Sequence, residues 1–326
     1  MRARDSIIDS LKFILICLVI LGHAIEPSRY STSYIGWIYS PIYLFHMPLF
    51  ALLSGYFSKL GTMEKILQSS VKIFETYIVM CIVIILINHS FNEFFHPAYA
   101  NWYLLSLLFW RLSIFAVEKH KMGGRNLLFI SILAALFSFF VPTEKSQMFL
   151  SFGRTLQFAP FFVCGYLLTN EDINRLRNLG QKRILSVFSI ILCMVAGLCS
   201  CRGLHLLEFH RASLMSIVSE SMMSISSIIG LKVYVELSAI VLSLWLLSIR
   251  FSCTYLAKYG KDTLLFFMLQ LVLVQLGARF LPEGIMYELI SVFACILLGC
   301  FLSYSGFSKW ITNPISSIIR VLYGIK

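Results

Sequence analysis

Two ionisable side chains stand eleven residues apart in one apolar run near the start of the chain. Lys12 and His23 enclose the ten residues Phe-Ile-Leu-Ile-Cys-Leu-Val-Ile-Leu-Gly. Eleven helical steps turn the chain about 1100°, so both side chains lie on one face, roughly 16 Å apart along the axis. An ionisable group in a membrane-spanning helix costs free energy unless it faces protein or water. His23 is therefore a candidate general base; the alternative is a histidine that only hydrogen-bonds a neighbouring helix.

Glu26 follows His23 by three residues, which places it on a neighbouring position of the same helix face. A carboxylate beside an imidazole fixes its tautomer and strengthens it as a base. The pair thus predicts proton transfer to or from a substrate. The alternative is that Glu26 only caps the outer end of the helix near water.

A second apolar segment carries small and polar side chains behind a proline. Ser54, Gly55 and Tyr56 follow Pro48 in this segment. Proline bends a helix, and glycine lets backbone or ligand approach closely. Ser54 and Tyr56 are therefore candidate lining residues, although a serine at such a place also serves simple helix packing. His46, near the outer boundary of this segment, is a candidate for a solvated side chain.

Two later segments begin with side chains that suit a polar ligand. Trp102 and Tyr103 stand at a helix start, where aromatic residues also form an interfacial belt. Arg154 stands at a membrane edge with few acidic neighbours in sequence. It suits an anionic group of a substrate or a lipid phosphate equally well.

Composition sets the class of protein. Hydrophobic residues make up 58% of the chain and charged residues 13%, with a mean hydropathy of +0.81. Soluble domains carry roughly 25% charged residues, so we expect one integral-membrane domain over residues 1–326. The net charge of +11 indicates basic loops on one side of a membrane rather than nucleic-acid binding. The nine cysteines are scattered without a C-x-x-C pair and predict neither a metal site nor a disulfide.

Periodicity predicts an all-α protein with about ten transmembrane helices. The apolar segments span residues 11–26, 41–58, 71–88, 100–117, 126–141, 156–168, 184–200, 229–249, 262–280 and 286–305. The N-terminal segment lacks a good cleavage site and is interpreted as a helix rather than a signal peptide.

Charge tests this topology. Of the 27 Lys and Arg residues, 20 fall on one side of a ten-helix topology and 7 on the other, which predicts cytoplasmic termini. Residues 201–228 then form a long external loop with at most a surface or re-entrant helix. The short segment 156–168, which contains Pro160, is a candidate broken helix.

These stretches together resemble the integral-membrane acyltransferases of family three. The family signature is a basic residue, ten positions and a histidine in the first helix, which Lys12 and His23 match. Three further strings resemble the fucose 4-O-acetylase-like and exopolysaccharide O-acetyltransferase branch. They are His46-Met-Pro-Leu-Phe with Leu53-Ser-Gly-Tyr56, Trp102-Tyr-Leu, and Pro160-Phe-Phe-Val-Cys-Gly-Tyr166. The similarity covers roughly residues 5–170 and resumes weakly at residues 259–264.

The chain departs from the family pattern at three helices. Lys12 stands where arginine is usual, and Lys72 and Thr76 stand where relatives carry arginine and proline. Lysine keeps the charge but loses the bidentate fork of arginine. Gln270 replaces a histidine that many relatives carry in the ninth helix, so no proton-transfer role is carried over to it.

The resemblance implies transfer of an acyl group, foremost acetyl, from acyl-CoA to a sugar hydroxyl of a surface polysaccharide or lipid-linked glycan. It implies His23 as base or acyl carrier oriented by Glu26, with Lys12 and Lys72 at the donor phosphates. The route would be lined by Ser54, Tyr56 and Trp102, with Arg154 on the acceptor side. It implies a multi-pass protein of the bacterial cytoplasmic (inner) membrane, with acetyl-CoA as donor, no metal and no nucleic-acid partner. The oligomeric state stays open.

Two other classes of function remain. One is a transporter or flippase for a lipid-linked glycan or small solute, with His23 and Glu26 as a proton relay. Internal inverted repeats would favour it, and the sequence shows none. The other is a non-catalytic membrane subunit of a glycan assembly complex, which the missing ninth-helix histidine leaves open.

Overall fold

The protein is a bundle of α-helices. The computed structural model describes residues 5–30, 33–59, 63–89, 91–97, 100–141, 148–179, 182–204, 206, 217, 223–280, 284–312 and 317. These described residues contain ten helices of 15 to 26 residues and no strand. Each long helix overlaps one of the ten predicted apolar segments, so the all-α prediction is confirmed.

Thirteen helices are numbered here in chain order, with three 3-10 turns between them at Pro27–Tyr30, Phe91–Phe94 and Phe149–Ser151. The helices are α1 Ser6–Ile25, α2 Ser33–Ser58, α3 Met63–Asn88, α4 Trp102–Lys119, α5 Gly124–Ser138, α6 Phe152–Leu167, α7 Asn170–Asn178, α8 Lys182–Cys201, α9 Ile225–Ser248, α10 Thr254–Tyr259, α11 Thr263–Phe280, α12 Ile285–Tyr304 and α13 Ser308–Thr312.

Six of the described helices are long and apolar enough to cross a membrane by length and composition. They are α1, α2, α3, α8, α9 and α12. Apolar side chains also cover the outside of the bundle: Phe188 of α8 is 58% exposed and Phe293 of α12 is 61% exposed. Such a surface suits lipid rather than water, which agrees with an integral-membrane protein.

One end of the bundle, here called the Lys12 end, collects the start of α1 and the connections after α6, α9 and α10. The Nη1 atom of Arg177 donates to an Asp5 carboxylate oxygen at 2.8 Å, and the Ser10 hydroxyl donates to the Cys253 carbonyl at 3.2 Å. Gly260 lies against α1 so closely that a Cβ atom there would sit 1.8 Å from the Asp9 carbonyl oxygen. The opposite end is called the His23 end.

Helices α2 and α6 pack backbone to backbone through two glycines. A Cβ atom on Gly55 would lie 1.9 Å from the Phe162 carbonyl oxygen, and one on Gly165 would lie 1.8 Å from the Leu52 carbonyl oxygen. Only glycine permits this approach. The contact fixes α6 against the helix that carries Ser54 and Tyr56. Pro160 lies inside α6, which is continuous from Phe152, so the broken helix predicted for 156–168 is not observed.

Helix α4 begins inside the bundle. The side chain of Asn101, which has no exposed surface, donates to the Cys81 sulfur at 3.3 Å, seven residues before the end of α3. Seven residues of helix rise about 10 Å, so α4 starts well below the end of α3. Trp102 and Tyr103 are each 7% exposed, and the interfacial-belt alternative for them is therefore wrong.

Candidate active site

His23 lies in the last turn of α1, and Glu26 directly follows that helix. The Nδ1 atom of His23 is 3.2 Å from the Glu26 Oε2 atom, and the two side chains are 16% and 20% exposed. A carboxylate only accepts hydrogen bonds, so a bond between these atoms places the imidazole proton on Nδ1. The lone pair of Nε2 is then left to act as a base.

Tyr43 of α2 completes this group. Its hydroxyl donates to the Glu26 Oε2 atom at 3.1 Å and lies 3.3 Å from His23 Nδ1. Gly22 makes room for the ring, because a Cβ atom there would sit 3.0 Å from the Tyr43 Cε2 atom. His23, Glu26 and Tyr43 are called the His23 cluster below. Nothing in the sequence singled out Tyr43, because its partners belong to another helix.

His46 supports the same cluster instead of meeting water. It is 3% exposed, so the suggestion of a solvated His46 is wrong. Its ring stands edge-on to Tyr43 with the ring centroids 4.6 Å apart, and its Nδ1–H donates to the Ile42 carbonyl at 2.8 Å. His46 therefore packs against the Tyr43 ring.

Arg29 adds a positive charge to the outer side of Glu26. Its Nη1 atom donates to the Glu26 backbone carbonyl at 2.8 Å and lies 3.8 Å from the Glu26 Oε1 atom. Glu26 thus has a cation on one oxygen and the Tyr43 hydroxyl and His23 on the other. This arrangement keeps the carboxylate aimed at the imidazole.

Lys12 has a buried carboxylate beside it. Its Nζ atom lies 3.2 Å from the Asp9 Oδ1 atom and 5.0 Å from the centroid of the Phe57 ring. The Asp9 side chain is only 3% exposed, and no sequence pattern singled it out. Lys72 lies on an exposed face of α3. The cationic pair suggested for donor phosphates is thus one partly neutralised lysine and one exposed lysine.

Ser54 and Tyr56 make contacts with two different elements. The Ser54 hydroxyl lies 2.8 Å from the Tyr103 hydroxyl of α4. The Tyr56 hydroxyl donates to the Asn170 side chain at the start of α7. Ser54 therefore faces the interior between α2 and α4, and Tyr56 ties the Lys12 end of α2 to α7.

Trp102 and Arg154, predicted from separate segments, are in contact. The Arg154 guanidinium carbon lies 5.0 Å from the centroid of the Trp102 ring, and that ring stacks on Phe158 at 5.6 Å. An arginine over a tryptophan face is held by cation–π attraction.

Next to this pair lies a charged network that the sequence did not predict. Lys232 Nζ is 3.1 Å from Glu236 Oε1 within α9, and the Gln157 side chain of α6 donates to the same oxygen at 3.3 Å. Lys232 is 7% exposed and therefore buried within the bundle. Gln157 lies one turn beyond Arg154, so this network and the Trp102–Arg154 pair share a face of α6.

The structure brings together two pairs of predicted site residues: His23 with Glu26, and Trp102 with Arg154. Lys12, Ser54 and Tyr56 lie in separate contacts, and Lys72 lies on an exposed face of α3. Within the described ranges no three His, Cys, Asp or Glu side chains are grouped so as to hold a metal ion. The expected absence of a metal stays a prediction.

Known proteins provide partial comparisons. A segment of 65 residues is 42% identical to the nodulation protein NolL of Mesorhizobium japonicum, covering 19% of this chain and 17% of that protein. A segment of 56 residues is 45% identical to the nodulation protein NolL of Sinorhizobium fredii, covering 16% of this chain and 15% of that protein. The chain therefore spans about a sixth of the length of the curated relatives it matches. No solved structure matches.

A family model covers far more of the chain than either relative. The acyltransferase 3 model, described as an acyltransferase domain, matches residues 5–305. That match contains the His23 cluster, the Lys12–Asp9 pair and the Trp102–Arg154 pair. It runs from the first described residue to one residue past the end of α12. The chain therefore belongs to the acyltransferase 3 family.

Proposed function

We propose that this protein is a membrane O-acyltransferase, foremost an O-acetyltransferase, that moves an acyl group from acyl-CoA to a sugar hydroxyl. The acceptor is a surface polysaccharide or a lipid-linked glycan. The proposal places the chain in the bacterial inner membrane, with about ten crossings and both termini in the cytoplasm. The family match supports acyl transfer. The excess of basic residues on the proposed cytoplasmic side suits an anionic nucleotide donor.

The observation that carries this proposal is the His23 cluster. A carboxylate within 3.2 Å of one imidazole nitrogen leaves the other nitrogen as a base. The Nε2 atom of His23 takes the proton from the acceptor hydroxyl as the oxygen attacks the thioester carbonyl carbon. The C–O bond forms, the C–S bond breaks, and the imidazolium returns the proton to the departing thiolate. Acyl transfer through His23 itself is the alternative route within the same proposal.

The remaining residues have roles that follow from their places. Lys12 and Lys72 contact donor phosphates at the Lys12 end. Ser54 and Tyr56 line the route between the two ends, and Trp102 and Arg154 form the acceptor side. An aromatic face with an adjacent guanidinium suits a sugar ring that carries polar or anionic groups.

Replacing the base tests the proposal directly. In cells that make His23→Ala, we expect glycan O-acetylation, measured by mass spectrometry, to fall at least about a hundredfold, because general-base catalysis contributes that much. His120→Ala is the matched control, since His120 is exposed after α4, outside the cluster. Unchanged acetylation at a normal level of the His23→Ala protein would remove the catalytic assignment.

One observation favours a transporter as the second candidate. The Lys232–Glu236 pair and Gln157 lie in helices of a membrane protein, where ionisable groups often mark a path for protons or substrates. Purified protein in vesicles separates the two functions. Consumption of acetyl-CoA with an acetylated product supports the enzyme, and flux of a lipid-linked glycan without acyl transfer supports the transporter.

A further inference from the structure

Gln270 of α11 is a buried carboxamide that finds no hydrogen-bond partner in the part of the chain that the structure describes. It is 1% exposed, and neither its Oε1 atom nor its Nε2 atom has a hydrogen-bond partner among the described residues. Buried polar groups in proteins are nearly always hydrogen-bonded, because burial without a partner costs free energy. An unpaired carboxamide in this helix therefore indicates a polar ligand.

The side chain of Gln270 faces the interior beside the candidate active site. It follows Phe266 by four residues and Phe267 by three, so it lies between them on the surface of α11. The Phe266 ring is 5.4 Å from the ring of Phe13, the neighbour of Lys12 in α1. The Phe267 ring is 6.3 Å from the ring of Tyr103 in α4. Gln270 thus faces the space between α1 and α4.

Its height along the bundle lies between Lys12 and His23. Helices α1 and α11 both run from the Lys12 end, and Phe13 and Phe266 are level because their rings touch. Gln270 lies about 6 Å beyond Phe266, and His23 about 15 Å beyond Phe13. The carboxamide therefore sits about 9 Å short of the imidazole, on the side from which the donor would enter.

We propose that Gln270 binds the pantetheine arm of the acyl-CoA donor through the amides of that arm. The arm carries two secondary amides, which together offer a carbonyl acceptor to Nε2 and an N–H donor to Oε1. Along an extended arm their nitrogens lie about 4 Å and 9 Å from the thioester sulfur. The larger distance matches the offset of about 9 Å between the Gln270 carboxamide and the His23 imidazole. This assignment rests on the proposed function and adds the part of the donor that the site recognises.

Binding measurements on purified protein in lipid nanodiscs test the assignment. In Gln270→Met, a side chain of similar length without hydrogen-bonding groups, we expect calorimetry to give a roughly tenfold weaker Kd for coenzyme A. The affinity of Gln270→Met for pantetheine alone should fall by the same factor. Adenosine 3′,5′-bisphosphate, which lacks the arm, should bind native and variant protein equally.

Gln275→Met is the matched control on the same helix. Gln275 lies five residues beyond Gln270, on the other side of α11, where its Oε1 atom accepts from the Asn88 side chain at 3.2 Å. This variant should keep the native affinity for coenzyme A. It should also melt at a lower temperature, because Asn88 loses its partner, whereas ligand-free Gln270→Met should melt at the native temperature or above.

Three outcomes would overturn the assignment. If Gln270→Met binds coenzyme A with native affinity, the Gln270 assignment is wrong but the proposed function is unaffected. The same holds if Gln270→Met loses affinity for adenosine 3′,5′-bisphosphate by the same factor, which would indicate a general distortion of the site. If the native protein binds no coenzyme A, both the Gln270 assignment and the proposed function are wrong. If Gln270→Met fails to fold, Gln270→Leu serves in the same assays.

Discussion

At the scale of single residues, the Tyr43 hydroxyl is the part of the His23 cluster that another helix supplies. It contacts both the Glu26 carboxylate and the His23 ring. In Tyr43→Phe the ring stays packed on His46, so we expect kcat to fall about 10- to 100-fold, as for loss of a hydrogen bond to a charged group. The KM for acetyl-CoA should stay native, because the observed contacts of this hydroxyl are with Glu26 and His23, and its proposed role is to position the base.

The control for this prediction is Tyr234→Phe. Tyr234 donates its hydroxyl to the Leu192 carbonyl at 2.6 Å, between α9 and α8, outside the cluster. We expect Tyr234→Phe to lose about as much thermal stability as Tyr43→Phe but to keep the native kcat. Steady-state kinetics of both variants measure kcat, and melting curves measure their stability. Equal kcat in Tyr43→Phe and the native protein would show that Tyr43 does not position the base.

The same scale explains what the sequence could predict about the site. His23 and Glu26 were predictable because both belong to one short stretch with helical spacing. Tyr43, and Asp9 beside Lys12, were not, because each is an ordinary residue until the fold supplies its neighbour. Gln270 was recognised only as a substitution, since burial without a hydrogen-bond partner is visible in three dimensions alone.

At the scale of elements, the glycine contact between α2 and α6 holds the site together. In Gly165→Ala the new methyl group would overlap the Leu52 backbone, which cannot move aside as a side chain can. We expect the free energy of unfolding to fall by about 1–3 kcal/mol and acyl transfer to fall with it. Thermal unfolding in detergent, with an activity assay on the same samples, measures both.

The matched control is Gly230→Ala in α9. Nothing lies within 4 Å of a Cβ atom at Gly230, so alanine there should leave stability unchanged or raise it slightly. If Gly165→Ala melts like Gly230→Ala, the two helices are not held by this close approach.

The presence of each long helix was predictable, but its depth in the bundle was not. The ten apolar segments match the ten long helices because an apolar run and its breakers are local features of the chain. That α4 begins inside the bundle depends on the contact between Asn101 and Cys81, which no local pattern reveals.

At the scale of the whole molecule, the Lys12 end joins distant parts of the chain. Asp262 accepts from the Ser303 hydroxyl at 2.6 Å, and Thr76 donates to the Thr312 carbonyl at 2.8 Å. These contacts place the end of α12 and helix α13 at the same end as the start of α11.

Reporter fusions test whether this end faces the cytoplasm. Green fluorescent protein fluoresces when it is left in the cytoplasm, and alkaline phosphatase is active when it is exported. We expect fusions truncated after Met122 or Phe251 to fluoresce and fusions after Ser28 or Gly203 to show phosphatase activity, because basic connections are retained inside. Residues 205, 207–216 and 218–222 lie outside the described residues, so the predicted external loop at 201–228 depends on this measurement. If fusions after both Gly203 and Phe251 show phosphatase activity, an eleventh crossing lies between these two residues. The start of α11 would then face outward, and the donor could not enter from the cytoplasm past Gln270.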